Sequence, residues 1–202
     1  MEADKLFSHH GIKSITMEEL SRNLGMSKKT FYQSFTSKDE LVKQWVQRNL
    51  ERIDEEISAS MLSARNAVEE VFIYIHKHKE QMLKLNPVIF HELVKYHPES
   101  LALAKDHRCN EEKNWVVNLI KRGIREGLFR SDLDFEILGR YQIHMKDICM
   151  SPEVFPPSEF HVFRLMDEVM LNFLVGLTTI EGHRVVNEFM KAEVKTGKTK
   201  TA

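Results

Sequence analysis

Cysteine is nearly missing from these 202 residues: Cys109 and Cys149 stand alone and far apart. Two isolated thiols exclude a disulfide scaffold and fit a reducing compartment. Glycine and proline are also scarce, at 8 and 5 residues. So few breakers argue against a fold of many short strands and for long helices. No apolar run approaches the roughly 20 residues that a membrane helix needs. The opening Met1–Lys5 is polar and lacks the basic-then-apolar order of a secretory leader, so a cytoplasmic location is expected. Charge of one sign is lacking too, with a formal net charge of −1. Chemistry-bearing motifs are equally sparse. There is no Gly-rich phosphate loop and no nucleophile paired with a base. Ten histidines are present, but no two stand at i, i+4, and no His–Cys cluster has zinc-site spacing. We expect no metal, no cofactor and no enzyme.

What is there is helical periodicity from end to end. Hydrophobic residues make up 42% and charged residues 29%, enough to bury a sizeable core. Charge is unevenly spread: residues 1–50 carry eight Lys/Arg against six Asp/Glu, and the remainder is slightly acidic. A weakly basic head on an acidic body is compatible with nucleic acid as a partner. The pattern predicts a helix over Glu2–His10 with Leu6 and Phe7 inward and Gly11 as its stop. Thr16 followed three residues later by Glu19 forms a capping box that opens a second helix, in which Met17, Leu20 and Leu24 point inward. Gly25 ends it in a positive-φ conformation. Ser27 caps a short helix from Lys28 to Phe35, and Phe31 and Phe35 face the core. A further capped start at Ser37 opens a long helix to about Ala59. Later helices are expected near 64–80, 87–95, 98–104, 108–126, 134–149, 159–179 and 182–191.

The stretch from Thr16 to Lys38 reads as helix, glycine turn, short helix and a third capped helix. The turn Gly25-Met26-Ser27 has the length that crosses two helices steeply, as in a helix-turn-helix. The short helix keeps Lys28, Lys29, Thr30 and Gln33 outward, with Tyr32 beside them. Lysines at a helix N-terminus oppose the helix dipole, so their presence hints at an external anion. These side chains match DNA: lysine to guanine or phosphate, threonine to a thymine methyl or phosphate, glutamine to adenine, tyrosine to phosphate. Lys38 adds a charge for one more phosphate.

These residues carry a resemblance. Leu6-Phe7, Gly11, Ile15-Thr16-Met17, Leu20-Ser21, Leu24-Gly25-Met26-Ser27-Lys28-Lys29-Thr30-Phe31-Tyr32, Phe35, Ser37-Lys38 and Leu41 together resemble the N-terminal signature of the TetR family of regulators. The resemblance covers about the first 45 residues. It implies that Thr16 caps and meets phosphate, that Lys28, Lys29 and Thr30 read bases, and that Tyr32 and Lys38 anchor phosphates. With Ser27 and Gln33 these form the expected DNA-binding set. Some members of the family place a base-reading arginine where this chain has Glu18, which can accept from cytosine or only close the cap. A weaker similarity lies at Leu119–Asp134, which resembles a stretch often found before the family's dimerisation helices.

Domain organisation is read accordingly. Residues 1–45 form a three-helix DNA-binding domain, 46–191 a helical effector-binding and dimerisation bundle, and 192–202 a flexible basic tail. The fold class is all-α. The expected partners are a double-stranded DNA operator and a second copy of the chain, with no membrane. A small-molecule effector is implied by the resemblance alone, and Phe72, Met82, Phe90, Tyr96, Trp115 and Met145 of the middle helices can line its pocket or simply fill the core. The stripe Phe163, Met166, Met170, Phe173 and Leu177 fits an internal core. Val162, Leu165, Val169 and Leu174 make the same helix apolar on a second side, and such a helix needs two partners. With Ile137, Tyr141, Met145 and Ile148 before it, we read a four-helix dimer interface that includes Tyr141, Ile148, Phe163, Met166, Met170, Phe173 and Leu177. The implied function is a ligand-responsive repressor acting as a homodimer on a palindromic operator. The rival readings are an all-helical adaptor that binds protein without DNA affinity and an all-helical enzyme or carrier.

Overall fold

The computed structural model describes residues 2–84 and 86–196. Those residues form ten helices: α1 Glu2–His10, α2 Met17–Asn23, α3 Lys28–Ser34, α4 Lys38–Met61, α5 Ala67–Lys84, α6 Pro87–Tyr96, α7 Pro98–Arg125, α8 Phe135–Cys149, α9 Val162–Leu177 and α10 Ile180–Thr196. The fold is all-α. Its only pairing of extended backbone among the described residues is an isolated bridge between Phe129 and Thr178. No described helix is long and apolar enough to cross a membrane. Two expectations change. The helices expected at 98–104 and 108–126 are one continuous α7, because no glycine or proline interrupts Leu101–Asn114. Helix α10 runs to Thr196, so residues 192–196 of the expected tail are helical, and 197–202 lie outside the described residues.

Backbone contacts divide the chain into two compact units. The first comprises Met1–Glu56 and Glu80–Arg108, and so extends past the three-helix head to include α6. Its core is continuous: Phe7, Ile12, Ile15, Met17, Leu20, Phe31, Leu41, Val42, Trp45 and Val46 pack with Ile89 and Leu93 of α6. Phe7 meets Trp45 edge to face at 5.2 Å, a favoured aromatic geometry. Each such fully buried ring contributes roughly 1.5–3 kcal/mol relative to exposure. Leu24, expected inward, is 40% exposed. It is the C-cap of α2, immediately before the Gly25 turn, and Met26 after the turn packs against the core again.

The second unit comprises Ile57–Lys79 and Cys109–Ala202. Val68, Val71, Leu119, Ile120, Phe129, Leu174 and Leu177 are buried in it. The α9–α10 corner is tied to the end of α7, as Arg130 N–H donates to the Leu177 carbonyl (2.9 Å) and Thr179 N–H to that of Leu128 (2.9 Å). Cys149 is buried, and burial pushes its thiol pKa up.

Candidate nucleic-acid interface

The turn between α2 and α3 is a Schellman motif. Met26 N–H donates to Ser21 O (2.9 Å) and Gly25 N–H to Arg22 O (3.1 Å), with Gly25 at φ +66. Only glycine takes that φ without strain, which fixes the angle at which α3 leaves α2. The capping box on α2 is complete. Thr16 Oγ1 accepts from Glu19 N–H (3.1 Å), and Thr16 N–H donates to Glu19 Oε2 (2.7 Å). The Thr16 N–H and the Thr16 hydroxyl, both donating to Glu19 Oε2, hold the Glu19 carboxyl below its ordinary pKa. Ser27 caps α3 by accepting from Thr30 N–H at 3.1 Å, and the two hydroxyls lie 2.8 Å apart. Phe31 is the buried residue of α3 and pins it to the core.

That anchoring leaves the other face of α3 open. Ser27, Lys28, Lys29, Thr30, Tyr32 and Gln33 are all exposed, as is Thr16. The expected set therefore shares one accessible surface, with two qualifications. Lys28 Nζ lies 3.0 Å from Glu18 Oε1, an ion pair that joins α2 to α3 and lowers the Glu18 pKa. Lys38 is half-buried, and its Nζ donates to the Lys13 carbonyl at 3.2 Å. Burial lowers the Lys38 pKa, against the opposing pull of Glu92, Asp39 and Glu19.

Sequence reasoning missed the part that α6 plays in this surface. Glu92 and His97 are buried, at 7% and 8% exposure. Glu92 Oε2 accepts from the N–H groups of Ile12 (2.5 Å) and Lys13 (3.1 Å). His97 Nδ1 lies 2.5 Å from Asp39 Oδ1 at the start of α4. Lys13 Nζ stands 5.0 Å over the Tyr96 ring. The signal was present, because Ile89, Glu92 and Leu93 share the inward face of α6 and a carboxylate among apolar neighbours demands partners.

The six residues expected to line a pocket fall into both units. Phe72, Trp115 and Met145 belong to the second; Met82, Phe90 and Tyr96 belong to the first, and Phe90 and Tyr96 are exposed. Phe72 stacks on Phe189 (5.2 Å) and Trp115 on Tyr74 (3.8 Å). Beside the latter pair lies a buried polar cluster: Lys146 Nζ donates to Tyr74 Oη (2.7 Å) and Glu112 Oε1 (2.8 Å). One turn earlier on α8, Gln142 is buried, and its Oε1 has no hydrogen-bond partner among the described residues. Of the residues read as a dimer face, Met170 and Leu177 are buried inside the chain, whereas Tyr141 and Ile148 are exposed. Phe163, Met166 and Phe173 are half-buried, and Phe173 stacks on Tyr141 at 6.2 Å.

Comparison with known proteins agrees with this architecture. Residues 2–44 match the family described as bacterial regulatory proteins, tetR family. The HTH-type transcriptional repressor KstR2 of Mycobacterium tuberculosis is 25% identical over 154 residues, covering 69% of this chain and 71% of the relative. The fold is similar to that of a transcriptional regulator from Cytophaga hutchinsonii, with a TM-score of 0.72 at 20% identity, covering 88% of this chain and 95% of that one. A TetR-family regulator from the same organism superposes with a TM-score of 0.60 at 16% identity, over 86% and 90% of the two chains. A capped helix-turn-helix at the N-terminus thus coincides with the segment that matches the tetR family of bacterial regulatory proteins, and the all-helical chain as a whole has the fold of these solved structures.

Proposed function

We propose that the chain is a homodimeric repressor that places α3 of each protomer in successive major grooves of a palindromic operator and releases it on binding a small molecule. The observation that supports DNA reading most directly is the exposed row Lys28, Lys29, Thr30 and Gln33 on a helix anchored from behind by Phe31. Such a row can reach base edges while Thr16, Ser27, Tyr32 and Lys38 meet phosphates. A two-fold dimer would set half-sites about 34–36 Å apart.

Dimerisation is supported by the apolar side chains that α8 and α9 leave in water. Ile137 is 64% and Tyr141 49% exposed, and Ile148 and Val175 are exposed as well. A ligand response is supported by the second unit's buried Lys146, Tyr74 and Gln142 with the half-buried Glu112, a costly polar group to keep among apolar helices. An effector needs only to prefer the released state, and ~1–3 kcal/mol of coupling makes a useful switch.

The test is selection of bound duplexes from random-sequence DNA by the purified chain. A two-fold symmetric consensus, bound with a steep salt dependence, is the expected result. Enrichment of no sequence would end the proposal.

A further inference from the structure

The segment Gly11-Ile12-Lys13, between α1 and α2, is wrapped around a carboxylate that comes from α6. Two successive N–H groups, those of Ile12 and Lys13, converge on one oxygen of Glu92. Gly11 closes the cradle from the other side. At φ +76 it is in the left-handed region, and a Cβ there would stand 3.0 Å from Glu92 Oε2 and 3.2 Å from Oε1. Successive backbone N–H groups in such a turn form an anion-binding concavity, and here the chain's own side chain fills it.

The segment so held does one further thing. Its Lys13 carbonyl accepts the hydrogen bond from Lys38 Nζ at 3.2 Å. Lys38 is the first residue of α4, lies half-buried, and is attracted by the Glu92 charge. Two neighbouring contacts restrain the same region: Asn86 Nδ2 donates to Ser8 O (3.1 Å), and His97 meets Asp39. A four-carbon side chain has many rotamers to lose when it is held in one place. A fixed carbonyl that takes one of its N–H groups removes much of that freedom before DNA arrives, and it leaves the other two N–H groups able to turn outward.

We propose that Glu92 is a positioning residue for DNA binding: by fixing the Gly11–Lys13 segment it sets the Lys13 carbonyl that orients Lys38 toward a phosphate. The inference rests on the DNA-reading proposal above and extends it to a side chain outside the helix-turn-helix.

The experiment measures affinity and its salt dependence for the duplex that the wild-type chain selects from random DNA, with Glu92→Ala, Glu92→Gln, Lys38→Ala and the Glu92→Ala/Lys38→Ala double variant. Removing a carboxylate from a DNA-binding unit would by simple electrostatics leave the salt slope unchanged or steepen it. The proposal expects the reverse. Glu92→Ala should bind about tenfold more weakly and flatten the slope by about one, as Lys38→Ala should. The double variant should bind no more weakly than Lys38→Ala alone, since both changes remove one contact. Glu92→Gln, whose Oε1 can still accept both N–H groups, should restore most of the affinity. If Glu92→Ala does not fold, Glu92→Asp, which keeps the charge but shortens the reach, is read by the same criteria. Additive losses, or an unchanged or steeper slope in Glu92→Ala, would overturn the proposal. A Lys38→Ala variant that binds like wild type would instead remove Lys38 from the DNA contacts, and the positioning role with it.

Discussion

The ammonium of Lys28 on α3 and the carboxylate of Glu18 on α2 form an ion pair at 3.0 Å across the helix-turn-helix. Both side chains are well exposed, so water screens the pair and its contribution to folding is small. Its consequence is for recognition. The carboxylate lies beside a lysine expected to read DNA, and it must give up that lysine, or share it, when a duplex arrives. We expect Glu18→Gln to bind DNA several-fold more tightly, with little change in melting temperature and reduced discrimination between operator and random duplex. Competition binding with both duplexes checks this; a weaker operator affinity would show that Glu18 accepts from a base.

The α3 cap gives a second prediction. Ser27 Oγ accepts from Thr30 N–H and lies against the Thr30 hydroxyl. Ser27→Ala should cost about 1 kcal/mol of stability, the usual value for a lost N-cap. It should weaken DNA binding by more than the stability loss explains, because Thr30 loses the partner that orients its hydroxyl. Thermal unfolding and a binding titration on the same preparation separate the two effects.

Acid should reveal the capping box. The Glu19 carboxyl is held below its ordinary value by the Thr16 N–H and hydroxyl. A depressed folded-state pKa means that the stabilisation is fully present above the unfolded value of 4.5 and is lost as pH falls through the folded value. The difference in melting temperature between wild type and Glu19→Ala should therefore be constant near neutrality and disappear in acid below pH 4.5. A difference that persists unchanged in acid would mean that the charged box adds nothing. Circular dichroism melts across the pH range make the comparison.

The exposed apolar face of α8 predicts its own test. Ile137→Asp and Tyr141→Asp place charges where the chain alone has water, so each variant should keep its helical content. If two copies meet there, both variants should sediment as monomers and lose operator affinity while retaining weak non-specific binding. Leu174→Asp, by contrast, puts a charge into a fully buried site and should unfold the unit. Analytical ultracentrifugation distinguishes these outcomes.

Two glycines of the second unit should be irreplaceable for steric reasons. A Cβ on Gly182 would overlap the Leu128 carbonyl oxygen, and one on Gly123 would overlap the Phe129 ring. Gly182→Ala should be the costlier change, because a backbone oxygen tied into the α9–α10 corner cannot swing aside; overpacking of this kind costs typically 1–3 kcal/mol or more. Gly176→Ala, with nothing near its position within the chain, should leave the chain's fold intact or gain about 1 kcal/mol of helix propensity. Thermal melts of the three variants rank them.

Local rules made the head legible in the sequence. Thr16 with Glu19, Gly25 before Ser27, and Phe31 four residues before Phe35 specify caps, turns and faces through neighbours a few residues apart, and the start of each helix and the open face of α3 follow from them. Even the break at His97-Pro98 is local, since proline cannot continue the helix before it. The uninterrupted α7 was less legible, because no local feature distinguishes a continuing polar stretch at Asp106–His107 from a loop. Here a side chain distant in sequence takes part: His107 Nε2 lies 2.5 Å from Asp54 Oδ2 of α4. Which apolar side of α9 is inward was likewise undecidable from periodicity, because both sides are apolar; packing buried Met170, Leu174 and Leu177 in the chain itself. The link from Glu92 to Ile12 and Lys13 spans about eighty positions, and only folding brings those groups within hydrogen-bonding distance. Hydrogen bonds between neighbours in sequence are written in its spacing, whereas the partner of a buried charge depends on which segments the core draws together.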